Sequence, residues 1–367
     1  MKRIFDLLLT VALMCSLGLS IASCKSDDDN DNQPPKPAPR VQVTTVFAPG
    51  QLGDMGYADR VMKGVSTLKN TDTNDVEASI IAADNVQETR LMLRVWTTAT
   101  SSDVDGATFS RRLLVLTEPY MVQWLEEYKG LLKDTDEILL LKASEADVKA
   151  AAQTLGLGER VHGLNISVAS SIKRFDEMRR QYYQWTQLNP DSLPIYLIRL
   201  YDKQVMNYRD SIGETLTTVS SEPLDSVTLP IINQAGEQYS NEYKVTAFEA
   251  AYHVCGYCYS LVYQKSEQDH DQGKKKVFVI SDLGSANNGA ELFLVSTNQH
   301  ILVIMLMIDA ESNTDMIRFS VIRHFDRALA DWTQQWLNQV PMPLMEQHGG
   351  WDGYCTDDID ANLLRDI

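Results

Sequence analysis

The sequence predicts an α/β protein made of two doubly wound, three-layer lobes joined by crossing strands. Three observations predict it. Short strand-like runs alternate with helix-like runs along most of the chain. Many of the strand-like runs are apolar without strict alternation, the pattern of strands covered on both faces in a parallel sheet flanked by helices. The alternation comes as two successive series, and 367 residues are more than one core usually holds.

The first series opens with a β-rich run at 41–47 and helical spacing at 57–68. A strand at 76–82 precedes a helix at 86–96, a strand at 112–116 precedes a helix at 120–132, and a strand at 137–141 precedes a helix at 145–155. A strand at 161–166 closes the series. Helices between strands make the connections crossovers, so the strands are expected to be parallel. The second series has a polar helix at 170–185, a strand at 193–200, helices at 204–216 and 246–263, and a strand at 277–280. A short helix at 290–295 and strands at 301–308 and 316–321 follow, and 217–243 reads as a strand and an irregular polar connection. The segment 325–337 puts Phe325, Leu329, Trp332 and Trp336 on one helix face. The expected organisation is lobe 1 over 41–166, lobe 2 over 167–315, a return to lobe 1 over 316–350, and a C-terminal tail over 351–367.

The segment 1–23 reads as a signal peptide. Lys2 and Arg3 precede an apolar run at 7–21, which is shorter than the roughly 20 residues a spanning helix needs. Ala22 and Ser23 stand directly before Cys24, the pattern of a lipobox in which the cysteine is lipidated. The alternative is an ordinary signal with an incidental cysteine. Residues 24–40 then form a tether, first acidic (Asp27, Asp28, Asp29, Asp31) and then rich in proline (Pro34, Pro35, Pro37, Pro39). The proline stretch should be extended and stiff. The acidic run resembles the signal that sends some lipoproteins to the outer face of the outer membrane. Surface exposure is the expectation, with a periplasmic location as the alternative.

The formal net charge of -17 argues against nucleic acid as a partner, because such a surface repels phosphate. Cys255 and Cys258 have C-x-x-C spacing but lie inside an apolar helix-like run, which fits buried structural thiols better than a redox pair. The histidines at 162, 253, 270, 300, 324 and 348 show no metal-ligand spacing, and neither a G-x-S-x-G elbow nor a P-loop is present. The crowded Asp357, Asp358 and Asp360 do not fit an EF-hand loop and read as a solvated tail. A binding protein is therefore expected over an enzyme, with no catalytic residue, metal or cofactor.

Several stretches, taken in order, resemble one family. The first strand leads into Gly50-Gln51-Leu52-Gly53-Asp54-Met55-Gly56-Tyr57, and Lys63-Gly64 lies on the following helix. Further along come Asn165 to Ser170, the glycine-rich Gly284-Ser285-Ala286-Asn287-Asn288-Gly289, and Ile308-Asp309 at the end of an apolar run, which resemble a lobe crossing, a strand-to-helix turn and a ligand-facing strand end. Ser320 to Asp326 followed by Ala328, and Gly349-Gly350-Trp351, complete the series. Together they resemble the basic membrane protein family of substrate-binding lipoproteins, in the type I periplasmic-binding-protein superfamily. The resemblance implies a small polar ligand, with a nucleoside-like solute as one candidate, held between the lobes. Ala48, Ala58 and Lys142 stand where that family carries polar groups used for nucleosides.

In open α/β sheets ligands bind at the carboxyl ends of the strands. The residues expected there are Asp54, Tyr57, Glu118, Tyr120, Tyr201, Asp202, Asn287, Asn288 and Asp309. Aromatics offer stacking faces, and carboxylates and amides bond hydroxyls. Asp54 equally suits a helix cap and Tyr57 equally suits packing, while Asn287 and Asn288 suit helix caps better than binding. The other expectation is a surface scaffold or adhesion protein that keeps the fold without a ligand. Any transporter partner is not indicated by the sequence.

Overall fold

The computed structural model describes residues 39–49, 51–53, 56–68, 74–102, 106–187, 195–200, 225–229, 277–282, 303–310, 318–349 and 352–364, with Leu292, Val295 and Ser296 besides. The expected signal, Cys24, residues 25–38 of the expected tether, Cys255 and Cys258 lie outside these residues, whereas Arg40, expected to end the tether, already opens the first strand.

Lobe 1 is built on a six-stranded parallel sheet. Its strands are β1 (Arg40–Val46), β2 (Asp75–Ile81), β3 (Arg111–Leu116), β4 (Asp136–Leu141), β5 (Val161–Ser167) and β11 (Met345–Gly349), in the order β11-β5-β4-β3-β1-β2. Lobe 2 repeats the plan with β6 (Ile195–Leu200), β7 (Asp225–Leu229), β8 (Val277–Asp282), β9 (Val303–Ile308), β10 (Arg318–Arg323) and β12 (Cys355–Asp357). Their order is β12-β10-β9-β8-β6-β7, and β12 alone runs antiparallel.

Residue alternation within the lobe 1 strands assigns each apolar side chain to a face. Val41, Val43, Leu113, Val115, Leu139 and Leu141 point to one side. There they meet α1 (Tyr57–Ser66) and α6 (Phe325–Leu337) through Val61, Val65, Leu329, Trp332 and Trp336. Val46, Leu114, Leu116, Ile138 and Leu140 point to the other. They are covered by α2 (Val86–Thr98), α3 (Val122–Glu126) and α4 (Glu145–Leu155) through Leu93, Trp96, Leu125, Val148 and Leu155. In lobe 2, α5 (Ala169–Trp185) lays Phe175 against Phe278 and Phe319, with ring centroids 5.7 and 6.2 Å apart.

Helix ends follow from local chemistry. Asn85 caps α2 by accepting the Glu88 N–H at 2.9 Å. Ser144 and Asp147 form a capping box at the start of α4, and Gly156 ends it with φ +69°. The segment expected as one helix at 120–132 is instead two 3₁₀ turns around the short α3. Gly130, a poor helix former, lies in the second turn.

Three crossings join the lobes: β5 to α5, β10 to α6, and β11 to β12. This corrects the expected organisation at two points. The return to lobe 1 begins after β10, which belongs to the lobe 2 sheet, and not at 316. The stretch expected as a tail carries β12, paired with β10, and a 3₁₀ turn at Ala361–Leu364. Both β11 and β12 are short edge strands without an apolar run, so hydrophobic patterning does not reveal them. The three aspartates near the end also have protein partners. Asp357 pairs with Arg174 at 2.7 Å, Asp358 accepts the Ser320 N–H, and Asp360 accepts the Asn362 N–H at 2.9 Å.

Candidate functional site

The carboxyl ends of β1, β3 and β4 in lobe 1 bring Ala48, Gln51, Thr117, Glu118 and Lys142 together beside the first turn of α1. Tyr57 opens that helix. It is 3% exposed and donates its hydroxyl to the Thr117 carbonyl at 2.6 Å. The Phe325 ring meets it edge-on at 5.0 Å, and the Lys142 ammonium stands 3.5 Å from its ring centroid. Lys142 also donates to Glu118 Oε1 at 2.7 Å, and the Gln51 amide donates to the same oxygen at 2.8 Å. Gln51 Oε1 in turn accepts from the Ala48 N–H at 2.8 Å and from the Thr117 hydroxyl at 3.0 Å.

Lobe 2 contributes the ends of β9 and β10. Asp309 is 5% exposed, and its carboxylate accepts the Arg323 N–H at 3.1 Å and Arg323 Nε at 2.9 Å. Arg323 Nη2 bonds the same carboxylate. Burial pushes the Asp309 carboxyl up, but Arg323 beside it, with Lys142 adding, outweighs burial and holds it below the usual carboxylate range. Arg60 of α1 reaches across and donates to the Asp309 carbonyl at 3.4 Å. Two ion pairs thus stand at the strand ends, Glu118 with Lys142 in lobe 1 and Asp309 with Arg323 in lobe 2, and the Lys142 charge acts on Asp309 between them.

Of the residues expected at the site, the structure gathers Tyr57, Glu118 and Asp309 at the strand ends. Tyr120 is half-buried and packs edge-on against Trp124 at 5.4 Å. Asp54, Tyr201, Asp202, Asn287 and Asn288 lie outside the described residues. The site also holds Gln51, Arg60 and Arg323, which the sequence does not mark as binding residues, and Lys142, which stands out there only as a departure from a family pattern. A charged residue directly after an apolar strand is the signal that marks Lys142, and a charged residue at the last position of a strand marks Arg323. A separate open groove of about 510 Å³ lies along α1, α6 and the 352–354 turn, lined in part by Lys63, Asp326, Asp331 and Tyr354. Its charged walls pair with each other, Lys63 with Asp326 at 3.3 Å and Tyr354 with Asp331 at 2.6 Å. Among the described residues no cluster of three His, Cys, Asp or Glu could hold a metal, and no helix is long and apolar enough to cross a membrane.

The fold defines a class. Two lobes of one strand order, one sheet parallel and the other parallel but for β12, are linked by three crossings in an α/β architecture like that of type I periplasmic solute-binding proteins. No protein-family model matches the chain, and no curated protein does. Solved structures do. A solute-binding protein of an ABC transporter system from Aeropyrum pernix K1 is similar over 87% of this chain and 76% of its own, with a TM-score of 0.52 and 11% identity. A glucose-galactose binding protein from Geobacillus stearothermophilus gives 0.51 at 11% identity, covering 89% and 99%. The 5-methylthioribose transporter solute-binding protein from Thermotoga lettingae TMO, in complex with 5-methylthioribose, gives 0.51 at 9% identity, covering 91% and 90%.

Proposed function

We propose that this protein is a cell-envelope lipoprotein that binds a small polar solute between its lobes, for uptake or sensing. The observation that carries the reading is the convergence of Tyr57, Glu118, Lys142, Asp309 and Arg323 at the carboxyl ends of two parallel sheets. That is where open α/β sheets take ligands. The sugars and 5-methylthioribose in the names of similar structures make sugars and polyols the first solutes to try. The resemblance to basic membrane proteins adds nucleosides. A ligand that touches both lobes favours the closed arrangement by its differential affinity, which turns binding into a conformational signal. Cys24 would supply a membrane anchor, with display at the outer-membrane surface; an ABC permease partner, suggested by the names of similar structures, would require the alternative periplasmic location.

The test is a thermal-shift screen of sugars, polyols and nucleosides, followed by calorimetry on each hit. One saturable solute supports the reading, and the absence of any overturns it. The anchor is tested separately: Cys24→Ala should leave the membrane fraction, and tight membrane association of that variant defeats lipidation. Protease added to intact cells should reach the parent protein if it is surface-displayed. A second reading, a surface scaffold without ligand, is favoured by one observation. Glu118, Lys142, Asp309 and Arg323 already satisfy one another within the protein.

A further inference from the structure

Lys142 is the first residue after β4, and its backbone is left-handed, with φ +56°. Lysine seldom takes this conformation, which glycine adopts without cost, and such a residue persists where the surroundings hold it. Here its N–H donates to the Leu164 carbonyl at 3.0 Å, and its side chain is largely covered. The ammonium lies 3.5 Å from the Tyr57 ring centroid and 2.7 Å from Glu118 Oε1. An aromatic face and a carboxylate are what a desolvated ammonium prefers around it.

Neither wall depends on the lysine for its position. Tyr57 is held by Thr117 through its hydroxyl and by Phe325 at its ring. Glu118 is held by Gln51, which Ala48 and Thr117 fix in turn. The walls therefore form a cage that should outlast removal of the side chain inside it.

We infer that Tyr57 and Glu118 form a primary-ammonium cage and that Lys142 fills it from within, as the specificity-determining residue of the site. The inference deepens the solute-binding reading and rests on it for the claim about specificity. A tethered ammonium acts at a high effective concentration, on the order of millimolar or more. Free amines are thereby kept out of the cage, while neutral polar solutes, which gain nothing from it, are not disfavoured.

The experiment uses Lys142→Gly, which suits the left-handed backbone and removes a four-carbon ammonium stem. The probe is n-butylammonium, with n-butanol as its neutral counterpart, titrated by calorimetry and thermal shift. Lys142→Gly should bind n-butylammonium saturably and about tenfold tighter than n-butanol, while the parent binds neither. Adding Glu118→Gln to Lys142→Gly should remove that preference. If Lys142→Gly does not fold, Lys142→Ala with n-propylammonium and n-propanol carries the same test. Equal binding of the ammonium and the alcohol to the variant overturns the inference, as does parent binding of the ammonium equal to the variant's. A solute screen that fails on the parent while the variant still takes n-butylammonium sinks the solute reading and leaves the cage standing.

Discussion

Lys142 and Asp309 are matched across the two lobes. Each is the first residue after its strand, β4 or β9, and these strands hold equivalent places in the two sheet orders. Each has a left-handed backbone, with φ +56° and +58°. Their charges are opposite, and each pairs within its own lobe, Lys142 with Glu118 and Asp309 with Arg323. Repetition of one fold plan has put one backbone irregularity at equivalent strand ends of both lobes and given it opposite charge.

The pairing of Asp309 sets a first prediction. Its carboxylate is buried and satisfied by three donors of Arg323, so it orients that arginine and does not simply await a ligand. Asp309→Ala should strand a buried guanidinium and lower stability by about 3–5 kcal/mol in urea unfolding. The double variant Asp309→Leu with Arg323→Met should lose markedly less than either partner's removal alone. A parental urea midpoint for Asp309→Ala would show that the pair contributes nothing to the fold. Ligand affinity of that variant must be read at a temperature where it is folded.

Much of the fold is legible because it rests on local pattern. The helix at 145–155 is bracketed by Ser144 and Gly156, and the one at 325–337 by its aromatic stripe, so both have the expected bounds. The buried strands show as apolar runs. Pairings between distant residues are not legible. Nothing in the sequence says that Arg323 will close on Asp309 or that Lys142 will lie over Tyr57, because partner choice is made by the tertiary fold. Nor does it show a positive φ at a lysine. The sequence accordingly points to Asp309 as a binding group and to Tyr57 as a binding or a packing group, and it does not show that both side chains are buried and bonded within the protein.

Gly64 carries a second prediction. A Cβ built there would lie 2.7 Å from the Asp326 carbonyl oxygen and 3.0 Å from its Cα, so α1 and α6 meet backbone to backbone. Neither obstacle is a flexible side chain. Gly64→Ala should therefore push the helices apart and destabilise by about 1–3 kcal/mol, despite alanine's better helix propensity. A melting temperature at or above the parent's would show that the contact relaxes without strain. Lys63→Ala, which removes an exposed lysine from its ion pair with the largely buried Asp326, should change stability by less than about 1 kcal/mol.

Buried charge in lobe 1 gives a third. Arg112 holds Asp136 with two bonds of 2.8 Å and stacks its guanidinium 4.3 Å from the Trp96 ring centroid. Both side chains are almost wholly buried. Asp136→Asn should cost about 3–5 kcal/mol, because it leaves the arginine charge uncompensated in the interior. The measurement is the chemical unfolding midpoint, and a change under 1 kcal/mol would mean that water reaches the arginine. Solute affinity should be unaffected, since this pair lies at the start of β4 and the site lies at its end.

The last prediction is the acid limb of stability. Glu137 is partly buried, which raises its pKa, but hydrogen bonds from His162 and Arg111 outweigh burial and bring it from 4.5 down to about 2. His162 sits 3.4 Å away and Arg111 donates at 2.9 Å. A carboxylate whose folded pKa is depressed binds fewer protons folded than unfolded. Its contribution is therefore fully present above about pH 4.5 and is lost as pH falls through about 2. Discounted for the exposure of the side chain, that contribution is about 2 kcal/mol. Urea unfolding of the parent and of Glu137→Gln at pH 7, 4 and 2.5 measures it. The variant should be less stable than the parent at pH 7, and the gap should close as the pH approaches 2. A gap that is the same at all three pH values would assign the effect to lost packing and not to the charge of Glu137.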